Sequence, residues 1–141
     1  LTLASKVRSA HHVIMAIERI VPDLAVASTA VSIDFYTQVL GMRPVMDLGW
    51  IATVADPERP DRQISVMASE ATAPVLPEVS IEVDDVDAAY RAAMAAGAPI
   101  VHPLTDEPWG VRRFFVRDPD GHVLNVLAHR RPDDDDEGEA G

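Results

Sequence analysis

Along residues 122–129, HVLNVLAH, an extended chain puts Val123, Asn125, Leu127 and His129 on one face and His122, Leu124, Val126 and Ala128 on the other. Both faces are largely apolar, so the strand is expected to be covered on both sides or wrapped around a cavity. Asn125 then points into an enclosed space, where its amide needs a partner or a ligand. Just upstream, DPDG at 118–121 carries turn chemistry: Pro119 has a fixed φ, Asp120 tolerates the next position and Gly121 accepts positive φ. RRFFVR and HVLNVLAH are therefore predicted to pair as antiparallel strands.

The same reading along the whole chain gives a repeat. A strand at 20–27 is followed by a helix, STAVSIDFYTQVLG, with Ser28 or Thr29 as its cap and Gly41 at its end, then strands near 43–47, 50–55 and 63–69. The second half repeats the order: a strand at 78–83, the helix DVDAAYRAAMAAG closed by Gly97, then strands near 99–102, 111–117 and 122–129. In this second helix Val86, Ala89, Tyr90, Ala93 and Met94 recur at helical spacing and are expected to form its buried stripe, while Phe35 and Tyr36 on the first helix are expected in the core. The closing hairpins align, placing Ser65 on Asn125 and Asp56-Pro57 on Asp118-Pro119. Each half is thus β-α-β-β-β. The predicted organisation is an extension at 1–14, flexible in expectation, a first module at 15–70, an alanine- and proline-rich linker at 71–77, a second module at 78–130 and an acidic disordered tail at 131–141.

Composition narrows the classes. With 141 residues, 48% of them hydrophobic, the chain has material for one domain with a real core. No run approaches the roughly 20 apolar residues of a membrane helix, and residues 1–21 lack the unbroken apolar stretch of a signal peptide. The absence of cysteine excludes disulfides, thiolate metal sites and a cysteine nucleophile, and makes a reducing cytoplasm the expected compartment. Of the net charge of −11, the tail PDDDDEGEAG contributes six acids and no base, which leaves −5 for the rest. An acidic body argues against nucleic acid and mildly for a cationic ligand.

SIDFYTQVLGM in the first half, with EVDDVDAAYRAAMAAGAPI and PLTDEPWGVRRFFVRDPDGHVLNVLAH in the second, resembles the vicinal oxygen chelate superfamily, which includes glyoxalases, bleomycin-resistance proteins and extradiol dioxygenases. The resemblance spans residues 16–130 and implies an α+β fold in which two βαβββ repeats form an open, curved mixed sheet around a cavity. It implies no single function, because members include metal lyases, dioxygenases, epimerases and antibiotic-binding proteins. In metal-dependent members, four inward positions on the first and last strands of each repeat hold one divalent ion. Carried over, these positions fall on Val21, Ser65, Glu78 and Asn125, with Asn125 where a metal enzyme usually has glutamate. A slip of two along the first strand keeps the same face and brings in Asp23. Such an ion is normally held by three or more imidazole or carboxylate ligands. This quartet does not supply them, so no catalytic metal and no other cofactor is expected. The five histidines, His11, His12, His102, His122 and His129, have the simpler reading of surface or half-buried side chains.

The ligand-binding candidates are Asp23, Trp50, Ser65, Glu78, Trp109, Arg112 and Asn125. Tryptophan offers a rigid face for planar rings and cations, and Trp109 lies in DEPWG, a loop at the rim. Arg112 and Arg113 alternate across a strand, so one faces inward, and the resemblance favours Arg112. The expected function is metal-independent binding of a small molecule, such as a planar cationic antibiotic. The alternatives are a lyase, isomerase or dioxygenase of the same fold, using a noncanonical metal site or Glu78 as general base, and a fold-only relative serving assembly or sensing. The family resemblance also implies a symmetric homodimer.

Overall fold

A computed structural model describes residues 15–130. The expectations for the extension at 1–14, with His11 and His12, and for the tail at 131–141 fall outside those residues.

The first module runs β1 (Ile17–Ala25), α1 (Thr29–Leu40), β2 (Arg43–Asp47), β3 (Ile51–Ala55) and β4 (Gln63–Met67); the second runs β5 (Val79–Val83), α2 (Val86–Ala95), β6 (Ile100–Asp106), β7 (Val111–Arg117) and β8 (Val123–His129). The anticipated caps form. Ser28 Oγ accepts from Val31 N at 3.2 Å, and Asp85 Oδ1 accepts from Ala88 N at 3.0 Å, each satisfying an orphan N–H of a first turn. Gly41 closes α1 with φ 70°, a left-handed conformation that costs glycine little. Strand β6 extends beyond the predicted 99–102. Pro103 is tolerated there because β6 is an edge strand, with register shifts between Ile100 and His102 and between His102 and Thr105.

All eight strands form one mixed sheet in the order β2-β3-β4-β1-β5-β8-β7-β6. Within each module the first strand lies parallel to the last (β1 with β4, β5 with β8), and the modules join through an antiparallel β1–β5 seam. The two βαβββ repeats are therefore halves of one α+β curved sheet, joined within a single chain.

Helix α2 covers the outer face of the second module over a cluster of Val83, Val86, Ala89, Phe114, Val116 and Val126. Tyr90 and Ala93 pack against this cluster, with Tyr90 edge-on to Phe114 at 5.0 Å between ring centroids. Met94, expected in the stripe, is 57% exposed. Helix α1 packs less deeply and has no buried residue. Its sheet-facing stripe is Ser32, Ile33 and Tyr36, whereas Phe35 points outward, 54% exposed, correcting its placement in the core. None of the described helices is long and apolar enough to cross a membrane.

Candidate ligand-binding site

The concave face is built by strand alternation. On β7, Phe114 and Val116 face α2, so Arg113 and Phe115 take the opposite face; Asn125 on β8 is the cross-strand partner of Phe115 and shares it. Residues from both modules line a cavity of about 480 Å³, among them Val21, Asp23, Ser65, Ser80, Arg113 and Asn125. The cavity thus lies within one chain, across the β1–β5 seam.

Strand register settles which residues meet at its floor. Ser65 is paired with Asp23, and Asn125 with Ser80. The first-strand positions therefore fall two residues beyond the Val21 and Glu78 alignment. Val21 still lines the cavity, but Glu78 does not: its side chain is 57% exposed outside it. Glu78 accepts from Val123 N at 3.0 Å and lies 3.3 Å from His122 Nδ1. These hydrogen bonds, the one from Val123 N foremost, hold its carboxyl below the usual range, the reverse of a general base raised by an apolar wall. The hydrogen bond that His122 Nδ1 donates to the Glu78 carboxylate is the main cause that raises the pKa of His122.

Asp23 is the carboxylate of the floor, 6% exposed. Ser80 Oγ donates to Asp23 Oδ2 at 2.6 Å and accepts from Asn125 Nδ2 at 3.0 Å. Among the described residues, Asp23 Oδ1 and Asn125 Oδ1 are buried without a hydrogen-bond partner. Desolvation is the main cause that pushes the Asp23 pKa up to about 7, assisted by the charge of Glu70 and opposed by Ser80, Arg113 and Arg19. Beside it, the Thr53 and Ser65 hydroxyls share a 2.7 Å hydrogen bond.

Of the two adjacent arginines, Arg113 faces inward. Arg112 lies on the outer face, where its guanidinium pairs with Asp87 on α2 at 2.9 Å and with Asp106 at 3.0 Å, contacts that raise its pKa and lower that of Asp87. It does not line the cavity. Arg113 is clasped by two buried carboxylates, Glu70 at 2.5 Å and Glu107 at 2.6 Å. At the rim, Arg19 pairs with Glu82 at 3.0 Å. Each cavity guanidinium is thus paired with carboxylates outside the lining, Arg19 with Glu82 and Arg113 with Glu70 and Glu107, and Asp23 is the carboxylate that itself lines the cavity. Trp50 and Trp109 both line the cavity and meet edge to face, with ring centroids 5.1 Å apart.

The donor set does not suit a catalytic divalent ion. Asp23, Ser65, Ser80 and Asn125 offer one carboxylate and no imidazole, and three of the four side chains already bond to one another. No group of three or more potential ligands of the His, Cys, Asp or Glu type is assembled among the described residues. His102 is buried on β6 near Glu107, while His122 and His129 pair at the surface with Glu78 and Glu82.

Sequence reasoning missed Ser80, Arg113, Thr53 and Glu70 as members of this arrangement. The hairpin register carried a signal for Arg113, because a turn at 118–121 sets it opposite Leu127, on the face already assigned to Asn125. Glu70 lies on the segment joining the modules, where no periodicity predicts a side chain's direction.

A family model described as Glyoxalase/Bleomycin resistance protein/Dioxygenase superfamily matches residues 10–126. An uncharacterized protein of Mycobacterium bovis is 46% identical over 44 residues, a match that covers 31% of this chain and 29% of that relative's length. A Legionella pneumophila structure described as NAD-dependent benzaldehyde dehydrogenase superposes with TM-score 0.65 at 22% identity, covering 79% of this chain and 99% of its own. A glyoxalase/bleomycin resistance protein/dioxygenase superfamily member from Vibrio splendidus 12B01 gives TM-score 0.59 at 20% identity, covering 80% of this chain and 99% of its own. An extradiol ring-cleaving dioxygenase from B. fuscum gives TM-score 0.60 at 19% identity, covering 82% of this chain and 33% of its own. At these identities the likenesses to solved structures show the fold.

Proposed function

Because the chain belongs to the glyoxalase/bleomycin resistance protein/dioxygenase superfamily, in which one fold carries many chemistries, we propose that it binds and sequesters a planar cationic small molecule without a metal ion. The observation that carries this reading is the pair of buried acceptors, Asp23 Oδ1 and Asn125 Oδ1, with no protein partner among the described residues at the floor of a cavity of about 480 Å³. A buried acceptor left unpaired is costly, and a small turn of either side chain toward a ligand N–H or ammonium group in the cavity relieves that cost. With Arg19 and Arg113 already paired to Glu82, Glu70 and Glu107, the Asp23 carboxylate favours a cation, and the Trp50–Trp109 pair offers a planar ring an aromatic wall. An antibiotic of this chemistry is one such ligand. The cysteine-free sequence supports a cytoplasmic setting. Val31, Phe35 and Val39, all exposed on α1, support assembly as a homodimer.

A second reading is favoured by Asp23 alone. A buried carboxylate with a pKa of about 7, fixed through one oxygen by Ser80 and free at the other, is suited to moving a proton at neutral pH. Proton-transfer catalysis would then use Asp23, not Glu78.

Elemental analysis beside thermal shift separates these from metal chemistry. Purified protein incubated with nickel, zinc, manganese or iron is expected to retain no stoichiometric metal and to gain no stability, while ethidium or bleomycin raises its melting temperature. Stoichiometric metal with a stabilised fold contradicts the proposal.

A further inference from the structure

Arg113 is 3% exposed and carries more contacts than a wall residue needs. Its Nε donates to Glu107 Oε2 at 2.7 Å, and its Nη2 donates to Glu70 Oε1 at 2.5 Å and to Thr72 Oγ1 at 3.0 Å. Thr72 in turn donates to Glu107, closing a ring of three side chains, Arg113, Thr72 and Glu107, to which Glu70 is joined through Arg113. The guanidinium carbon lies 4.9 Å from the ring centroid of Trp109 and 4.7 Å from that of Phe115. A buried guanidinium held by carboxylates on two sides keeps one orientation, and its carbon lies over the rings of both Trp109 and Phe115.

Glu70 and Thr72 belong to the segment between β4 and β5, whereas Glu107 and Trp109 belong to the turn between β6 and β7. The ring thus ties the inter-module segment to the turn carrying one of the two cavity tryptophans. Trp50, the other, precedes β3 near the opposite end of the sheet.

We propose that Glu70, which does not line the cavity, is a positioning residue: through Arg113 it holds Trp109 against Trp50 and so sets the site's discrimination between planar and non-planar cations. The discrimination rests on the binding function proposed above; the placement of Trp109 does not. Replacing Glu70 by glutamine removes the charge from one side of the guanidinium and keeps the shape. Arg113 then keeps Glu107 and the Thr72 hydroxyl but loses its second carboxylate, and turns away from Trp109.

The first readout needs no ligand. The near-ultraviolet circular dichroism of the wild type and of the Trp50→Phe/Trp109→Phe double variant, less that of the two single variants, isolates the coupling between the two indoles. Glu70→Gln is expected to lose more than half of this signal, and Glu58→Gln, at an exposed acid in the β3–β4 turn, to keep it. Full coupling in Glu70→Gln overturns the proposal. If that variant fails to fold, Glu70→Asp tests the same contact by drawing the carboxylate back by one methylene; a reduced signal supports the proposal and an unchanged one overturns it.

The second readout separates positioning from general destabilisation, using ethidium as the planar cation and butylamine as the non-planar one. Glu70→Gln is expected to weaken ethidium at least fivefold and butylamine less than twofold, and to add nothing in a Trp109→Ala background. Equal losses for both probes, or a loss that adds to that of Trp109→Ala, overturn it. If the wild type binds neither probe, the binding function fails, and the circular dichroism still decides whether Glu70 places Trp109.

Discussion

The Ser80 hydroxyl lies 2.6 Å from Asp23 Oδ2, across the antiparallel seam that joins the two modules. One hydroxyl has one proton. When Ser80 gives it to the ionised Asp23, it can only accept from Asn125, so the Asn125 amide donates and its carbonyl oxygen is left over. The seam therefore fixes two acceptors, Asp23 Oδ1 and Asn125 Oδ1, at the floor of the cavity. What binds there is decided by the proton on Asp23.

Affinity for a cation is expected to rise with pH and to level off above about 7, the pKa of Asp23 in the free protein. A cation pairs with the ionised carboxylate, so below that pH binding must first expel a proton, and each unit costs about tenfold in affinity. The charged groups acting on Asp23 are Glu70, Arg113 and Arg19. Calorimetric titration of ethidium between pH 5 and pH 9, in buffers of different ionisation enthalpy, checks both the slope and the released proton.

Stability follows the opposite sign. The pKa of Asp23 is raised on folding, from 3.8 to about 7, so between these values the folded chain holds a proton that the unfolded chain has lost. Its ionisation thus costs stability progressively as pH rises through this window. Asp23→Asn, which cannot ionise, is expected to gain on the wild type across the same window, by roughly 3 to 4 kcal/mol at the upper end. Urea denaturation of both proteins at pH 4.5 and pH 8 measures the difference. A constant gap would mean that Asp23 is not desolvated.

The repeat, both helix caps and the inward direction of Asn125 were legible in the sequence because each rests on local chemistry or strand alternation. Register between strands distant in sequence was not. The Val21 and Glu78 alignment keeps the correct face and misses by two residues, since a period-2 pattern cannot distinguish positions two apart. Phe35 was misplaced because helix α1 has apolar residues on both its sheet-facing and outward sides. Arg112 was misplaced for want of a pairing argument that the 118–121 turn could have supplied.

Trp109→Ala is expected to weaken a planar cation by about 1 to 3 kcal/mol, the usual range for loss of an aromatic stacking partner. Fluorescence titration with ethidium reads it, and a loss below twofold would return Trp109 to a packing role against Trp50 and Arg113.

Glu78→Gln and Arg112→Ala are expected to leave ethidium affinity within twofold of the wild type, since neither side chain lines the cavity. Glu78→Gln should still lower the pKa of His122, whose raised value comes first from the hydrogen bond with Glu78. A proton NMR titration of the His122 ring follows that change. A large loss of binding in either variant would place the ligand outside the cavity.

The most direct test of metal-independent binding at the β1–β5 seam is calorimetric titration of ethidium into chelator-treated protein, wild type beside Asp23→Asn, at pH 8. The account predicts one site per chain, an affinity unchanged by chelator or by added nickel, and a loss of at least about tenfold in Asp23→Asn, equivalent to about 1.4 kcal/mol. Binding that disappears with chelator and returns with nickel, or an Asp23→Asn protein that binds as tightly as the wild type, would contradict it.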